Sequence, residues 1–205
     1  MNDKRWHDLM QRCGIRDGTS AFDALSAAYA QRHRHYHTTR HIDHCLSELD
    51  LCRHLAEEPD EVELALWFHD AIYRPYASGN EVKSARWACE FLEANDMPHE
   101  RVARVREHIL ATRHQSVAVA TDSKLTVDAD LAILGADRAQ YALFEMNIRK
   151  EYRWIPDLLY RRKRAEILQS FLHRYRIYAT DFFAARYESR ARENLAAAIA
   201  LHRVH

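Results

Sequence analysis

The stretch EVELALWFHD, residues 61–70, carries Val62, Leu64, Ala65, Leu66, Trp67 and Phe68 in one short run and ends in a histidine beside an aspartate. Apolar side chains at nearly every position leave no solvent face, so a helix built on this segment is surrounded by protein and stands at the centre of its fold. The Glu57-Glu58-Pro59 break precedes it, and Asp60 is placed to cap it. His69 and Asp70 then fall at the buried end, where an imidazole and a carboxylate rarely stay unpaired. Two explanations are open at this point. Hydrogen bonds from backbone or imidazole can satisfy the carboxylate, or both side chains can ligate a divalent ion.

The flanking sequence reads as helices as well. Only four glycines and four prolines punctuate the 205 residues, which starves hairpins of turn residues and favours an all-α fold. Ser20 and Asp23 resemble a helix start, and Phe22, Leu25, Ala28 and Tyr29 recur at helical spacing through about 21 to 32. From His41, the residues Ile42, Cys45, Leu46, Leu49 and Cys52 keep the same rhythm, so His41 opens a helix. Further helices are expected at about 80 to 95, 98 to 112, 128 to 135, 138 to 153, 157 to 173 and 180 to 202. The segment HQSVAVATDSKLTVDAD, 114 to 130, reads as a loop leading to Asp128 and Asp130; Val117 and Val119 could be extended, but no partner strand is evident. In the 157 to 173 helix, Leu158, Leu159, Ile167, Leu168, Phe171 and Leu172 are expected on the buried side.

Composition excludes several functions. With 47% hydrophobic residues the chain can bury one full core, and one domain is expected. Thirty basic residues balance thirty acidic ones, so no bulk field draws the protein onto nucleic acid or anionic membrane. The basic run RRKRAE, 161 to 166, with Arg149, Lys150 and Arg153, is interrupted by Glu151, Asp157 and Glu166 and reads as a solvated helix face. No apolar run approaches the ~20 residues of a spanning helix, and MNDKRWHDLMQRC lacks the apolar core of a secretion signal, so a cytosolic protein is expected. Cys13, Cys45, Cys52 and Cys89 have no CxxC spacing and read as reduced, buried thiols.

A second stretch, RHYHTTRHIDH, 34 to 44, gathers His35, His37, His41 and His44. The order His41, then His69-Asp70, then Asp130 resembles the H…HD…D signature of the HD superfamily of metal-dependent phosphohydrolases. The blocks RHYHTTRHI, ALWFHDAIY, NEVKSA, ILATRH, DADLAILGA and IRKEYRWIPDLLYRRKRAEILQSFL look like those of an uncharacterised bacterial branch of that superfamily, from about Tyr29 to Leu195. One departure is visible: Lys163 precedes Arg164 where the branch has glycine, so no role is carried over to Arg164.

The resemblance implies a single-domain helical bundle of the HD type, with a metal-site core at about 29 to 135 and C-terminal helices, 138 to 202, packed on it. It implies His41, His69, Asp70 and Asp130 around one divalent ion, with positions left for water and a phosphate oxygen. Mn, Fe, Ni, Co and Zn all suit such donors, and Mg is also allowed. A metal-activated water then hydrolyses a phosphate ester of a small metabolite, a nucleotide foremost. Asp70 would ligate the ion and accept a hydrogen bond from the water. Glu81 is the candidate general acid or base, its other reading being a first-turn glutamate that suits the helix dipole. His37, one turn before His41, could hold the substrate or orient the water. Arg34, Lys83, Arg113 and His114 are candidate phosphate donors. His35 and His44 read as surface or core-edge residues, and Asp128 as a helix cap or a partner of the ligands rather than a ligand. A second ion held through His108 and His114 is disfavoured, because their spacing does not put them on one helical face. Three readings differ in kind: an enzyme, a non-catalytic module that binds a nucleotide or phosphate through the metal, and a purely structural helical protein without metal. Amphipathic helices at both ends could support a homodimer.

Overall fold

In a computed structural model, which describes residues 1–114 and 118–203, the chain is all-α. It divides into two compact units, Met1–Asp130 and Leu131–His205. The first holds α1 (Asp3–Arg12), α2 (Thr19–Tyr29), α3 (Thr39–Cys52), α4 (Pro59–Phe68), α5 (Asn80–Glu93), α6 (His99–Ala111) and nearly all of α7 (Thr121–Leu131). The second holds α8 (Arg138–Glu151), α9 (Asp157–Leu172) and α10 (Asp181–Arg203). Among the described residues no helix is long and apolar enough to cross a membrane.

The central helix is α4, as its composition demands. Every residue from Glu61 to Phe68 is buried, and the rings of Trp6, Phe22, Trp67, Phe68 and Phe91 pack together around it. Burial extends to its two glutamates, and each is met by arginines, because an unpaired charge inside would be strongly destabilising. Glu61 accepts from Arg101 and from Nε and Nη2 of Arg104 on α6. Glu63 accepts from Arg5 and Arg12 on α1 and from Arg53. Asp60 is not the cap of this helix. Pro59 is its first residue, and the Asp60 carboxylate pairs with Arg12 and Arg53. The amides just before the helix are taken by Asp122, whose two oxygens accept from Glu57 N and Glu58 N, each at 2.8 Å.

That bond corrects the expectation of a loop over 114–130. Helix α7 begins at Thr121, and Asp122 to Ala129 are buried apart from the half-buried Lys124. Burial nearly all round removes the amphipathic rhythm that would announce a helix, and Asp122, Ser123, Thr126 and Asp128 are weak helix formers. Thr126 satisfies its hydroxyl on the Asp122 carbonyl one turn back. Asp128 therefore lies inside a helix, fully buried, and is not a cap. Val117 lies outside the described residues.

In the second unit, Asp137 caps α8 by accepting from Ala139 N and Gln140 N. Gly135 lets the chain pass Tyr187 so closely that a Cβ there would lie 2.5 Å from the tyrosine's own Cβ. The buried face of α9 is Tyr160, Ala165 and Leu168; of the expected series Leu168 is buried, but Leu158 is 73% exposed, and Leu159 and Ile167 are also exposed. Phe171 and Leu172 are half-buried. The helix is turned so that Arg164 points inward, where it grips Glu145 with two hydrogen bonds of 2.6 and 3.1 Å. Tyr141 donates to the same carboxylate, which is held below the usual range despite its burial.

Candidate metal centre

Three helix ends converge in the first unit. Tyr29 at the end of α2 donates its hydroxyl to the Trp67 carbonyl at 2.9 Å, joining α2 to the last turn of α4. Asp122 joins the start of α7 to the residues just before α4, and near the other end of α7 Asp130 reaches His69. The first turn of α3 supplies His41.

Four donor atoms meet there. His41 Nε2 lies 3.1 Å from His69 Nε2, 3.2 Å from Asp130 Oδ1 and 3.5 Å from Asp70 Oδ2. His69 Nε2 lies 3.2 Å from Asp70 Oδ2 and 3.6 Å from Asp130 Oδ1. An ion bonded at about 2.1 Å has ligand-to-ligand edges of about 3.0 Å when octahedral and about 3.4 Å when tetrahedral. Three of the five distances, 3.1, 3.2 and 3.2 Å, fall in that range, and the other two, 3.5 and 3.6 Å, lie just above it, so a small inward shift lets the donor set hold a divalent ion. His69 Nδ1–H donates to the Leu66 carbonyl at 2.9 Å, which fixes the ring and leaves Nε2 to face the cluster.

Grouped by mutual distance alone, His41, Cys45, His69 and Asp130 form a cluster whose donor atoms all lie within 4.8 Å of one another and could hold a metal ion. Cys45 was read from sequence only as a buried thiol, although it follows His41 by one helical turn. Its sulfur is nearly equidistant from the two ring nitrogens of His41, at 3.6 and 3.7 Å, which places it over the ring face and away from the lone pair of Nε2. Asp70, by contrast, reaches both imidazoles at coordination distance. Beside His41, His69 and Asp130 there are thus two further side chains, Asp70 within 3.2 and 3.5 Å of the two imidazoles and Cys45 against the ring of His41.

The electrostatics agree. Burial disfavours the imidazolium of His41, but Cys45, Tyr36 and hydrogen bonds to Asp130 and Asp70 outweigh it and hold the pKa well above the ordinary 6.5. His69 follows the same pattern, with Asp70 and Asp130 outweighing burial. Burial likewise opposes ionisation of Asp70 and Asp130, yet the surrounding histidines hold both well below the usual 3.8. Two anionic carboxylates buried beside two imidazoles favour a compact positive charge. Protons neutralise such a cluster one at a time, whereas a single divalent cation neutralises it at once.

The other candidate residues separate into groups. His37 is half-buried, stacks on Tyr73 at 4.1 Å between centroids, meets His41 edge-on at 5.8 Å and helps to hold Asp70 ionised. His114 lies three residues past α6 with φ +56°, and its Nε2 sits 3.1 Å from Asp130 Oδ2, while Oδ1 faces His41. It contacts a donor residue directly. His108, buried on α6, turns instead to Ser123 Oγ at 2.9 Å, so the two histidines serve different partners. Glu81 occupies the first turn of α5, one turn before Ser84, whose hydroxyl donates to the Ile72 carbonyl and accepts from Ile72 N. That places Glu81 on the helix face beside the turn that follows Asp70. Among the described residues, Glu81 and Lys83 make no hydrogen bond or ion pair with the four donors, and Lys83 and Arg113 are exposed. Arg34 is buried, and its guanidinium is spent on backbone carbonyls, which removes it from the phosphate donors. His35 and His44 are half-buried, matching the core-edge reading. The four cysteines are free thiols; Cys45 and Cys52 are buried while Cys13 and Cys89 are half-buried, and burial pushes Cys13 up to about 11 and Cys52 up to about 12.

Comparisons with protein-family models, with curated proteins and with solved structures find no match to this chain.

Proposed function

We propose that this chain is a divalent-metal-dependent phosphohydrolase of the HD type, acting on a phosphate ester of a small metabolite, with nucleotides as the first class to examine. The observation that carries the reading is the set of five donor-to-donor distances of 3.1 to 3.6 Å among His41, His69, Asp70 and Asp130, all taken up by side chains that the H…HD…D order selects. These four residues would hold the ion. When bound, it supplies Lewis acidity, polarising a phosphoryl oxygen and lowering the pKa of a coordinated water.

The rest of the work falls to the chain. Asp70 keeps its carboxylate ionised inside the protein and can accept a hydrogen bond from the attacking water. His37, half-buried beside His41 and Asp70, orients the substrate or the water. Glu81, half-exposed at the start of α5, is the proton-transfer group, moving a proton between the water and the leaving oxygen. His114 steadies Asp130 from behind.

The test is a panel of phosphomonoesters, pyrophosphates and cyclic nucleotides offered to protein loaded in turn with Mn, Fe, Co, Ni, Zn or Mg. Turnover of one class, with Asp70→Ala losing both metal and activity and Glu81→Gln keeping metal while losing activity, supports the enzyme. Tight metal and phosphate binding with no turnover across the panel replaces it with the binding module.

A further inference from the structure

Arg34 stitches the loop between α2 and α3 to the turn after α4. Arg34 is buried, and its guanidinium donates to the carbonyls of Asp70 at 2.7 Å, Ala71 at 2.8 Å and His37 at 3.1 Å, with a longer bond of 3.4 Å to Gln31 Oε1. Its Cζ lies over two rings, 5.0 Å from the centroid of Tyr29 and 5.5 Å from that of Tyr73. Both rings are themselves anchored to the same region. Tyr29 donates to the Trp67 carbonyl, and Tyr73 stacks on His37 and offers its carbonyl to His33 Nε2 at 2.9 Å.

The physical logic starts at the end of α4. A helix C-terminus leaves carbonyls without partners and carries the negative end of the dipole, so a buried cation there is well placed. A guanidinium can reach several carbonyls at once because its donors form a rigid planar fork, which an ammonium cannot copy. The carbonyl of Asp70 is one of those held, while the carboxylate of the same residue faces His41 and His69. Holding that backbone atom sets the place from which the carboxylate extends toward the imidazoles.

We propose that Arg34 is the positioning residue of the metal centre, locking the Asp70-Ala71 turn and the His37 loop into one frame so that Asp70 and His37 meet the donors from α3 and α7. It touches neither metal nor substrate and acts through the backbone of Asp70 and His37. This rests on the metal reading above.

The test compares wild type, Arg34→Lys and Tyr73→Leu by Co²⁺ titration, by the visible ligand-field spectrum of the Co²⁺ complex, and by the thermal midpoint of the metal-free protein. Arg34→Lys keeps the charge but loses the fork. Its expected result is native helix content with Co²⁺ affinity down by about 10- to 100-fold, the range seen when outer partners of metal ligands are removed, and a changed ligand-field spectrum. Tyr73→Leu removes one of the two rings and none of the arginine's hydrogen bonds; it should shift affinity in the same direction by about two- to fivefold, and it decides the matter if Arg34→Lys fails to fold. Unchanged affinity and spectrum in a folded variant, with only a lower thermal midpoint, would make Arg34 a plain structural residue and overturn the proposal. A wild type that binds no Co²⁺ overturns the metal reading itself, and the proposal with it.

Discussion

At the scale of single residues, the account turns on which side chains face the ion. Cys45 and Asp70 compete for the fourth place, and they give opposite spectra. With Asp70 as donor, Cys45→Ala keeps full metal stoichiometry, and the wild-type Co²⁺ complex shows no thiolate-to-metal charge-transfer band in the near ultraviolet; a strong band lost in the variant would assign the sulfur instead. The same residues set a pH dependence. Raised imidazole pKa values contribute stability to the metal-free protein below the unfolded value of 6.5 and lose it as pH climbs through the folded values. Lowered carboxylate pKa values contribute above the unfolded value of 3.8 and lose it as pH falls through the folded ones. The metal-free cluster is therefore most stabilising between those two values. An ion must displace the imidazolium protons, so metal affinity should rise with pH, by up to about tenfold per unit for each proton released. Competition titrations in mildly acidic and mildly alkaline buffers measure it, and a flat profile would contradict the protonated cluster. His69-Asp70 was legible in the sequence because an apolar helix ended in two ionisable groups. Arg34 was misread because a sequence does not distinguish an arginine that reaches a ligand from one that grips a helix end.

The elements explain how distant residues meet. Asp130 could be nominated from the resemblance, but what delivers it is α7, which the sequence hid by burying weak helix formers on every side. The latch is Asp122, with both oxygens on the amides before α4. Asp122→Ala should lower stability by about 2 to 4 kcal/mol, as expected for two hydrogen bonds to a buried charge, and weaken metal binding, because Asp130 loses its register on His69. Urea unfolding and Co²⁺ titration of the same variant check both. A loss in stability with metal affinity unchanged would mean that Asp130 is placed by other contacts. Helix α9 teaches a related lesson. Its leucines suggested a buried stripe, yet Arg164 turns inward to reach Glu145, and a half-buried ion pair of that kind has no signature in hydrophobic periodicity.

For the whole molecule, the helical class was readable from the scarcity of glycine and proline, and the chain contains no strand among the described residues. The backbone forms two compact units that divide between Asp130 and Leu131. That division falls just after the last metal donor, so the whole centre belongs to the first unit. A ligand that binds only the folded state stabilises it by about 2.7 kcal/mol at a free concentration of about a hundred Kd. Adding the preferred ion to chelated protein should therefore raise the thermal midpoint by several degrees, and the rise should vanish in His41→Ala. An equal rise in that variant would place the ion elsewhere.

The most direct measurement is elemental analysis of protein purified without chelator or added metal, set beside His69→Ala. The account predicts about one transition-metal ion per chain, lost in the variant. A metal-free wild type that also fails to take up manganese, iron, nickel or zinc on titration would contradict it and leave His69 and Asp70 as a buried structural pair.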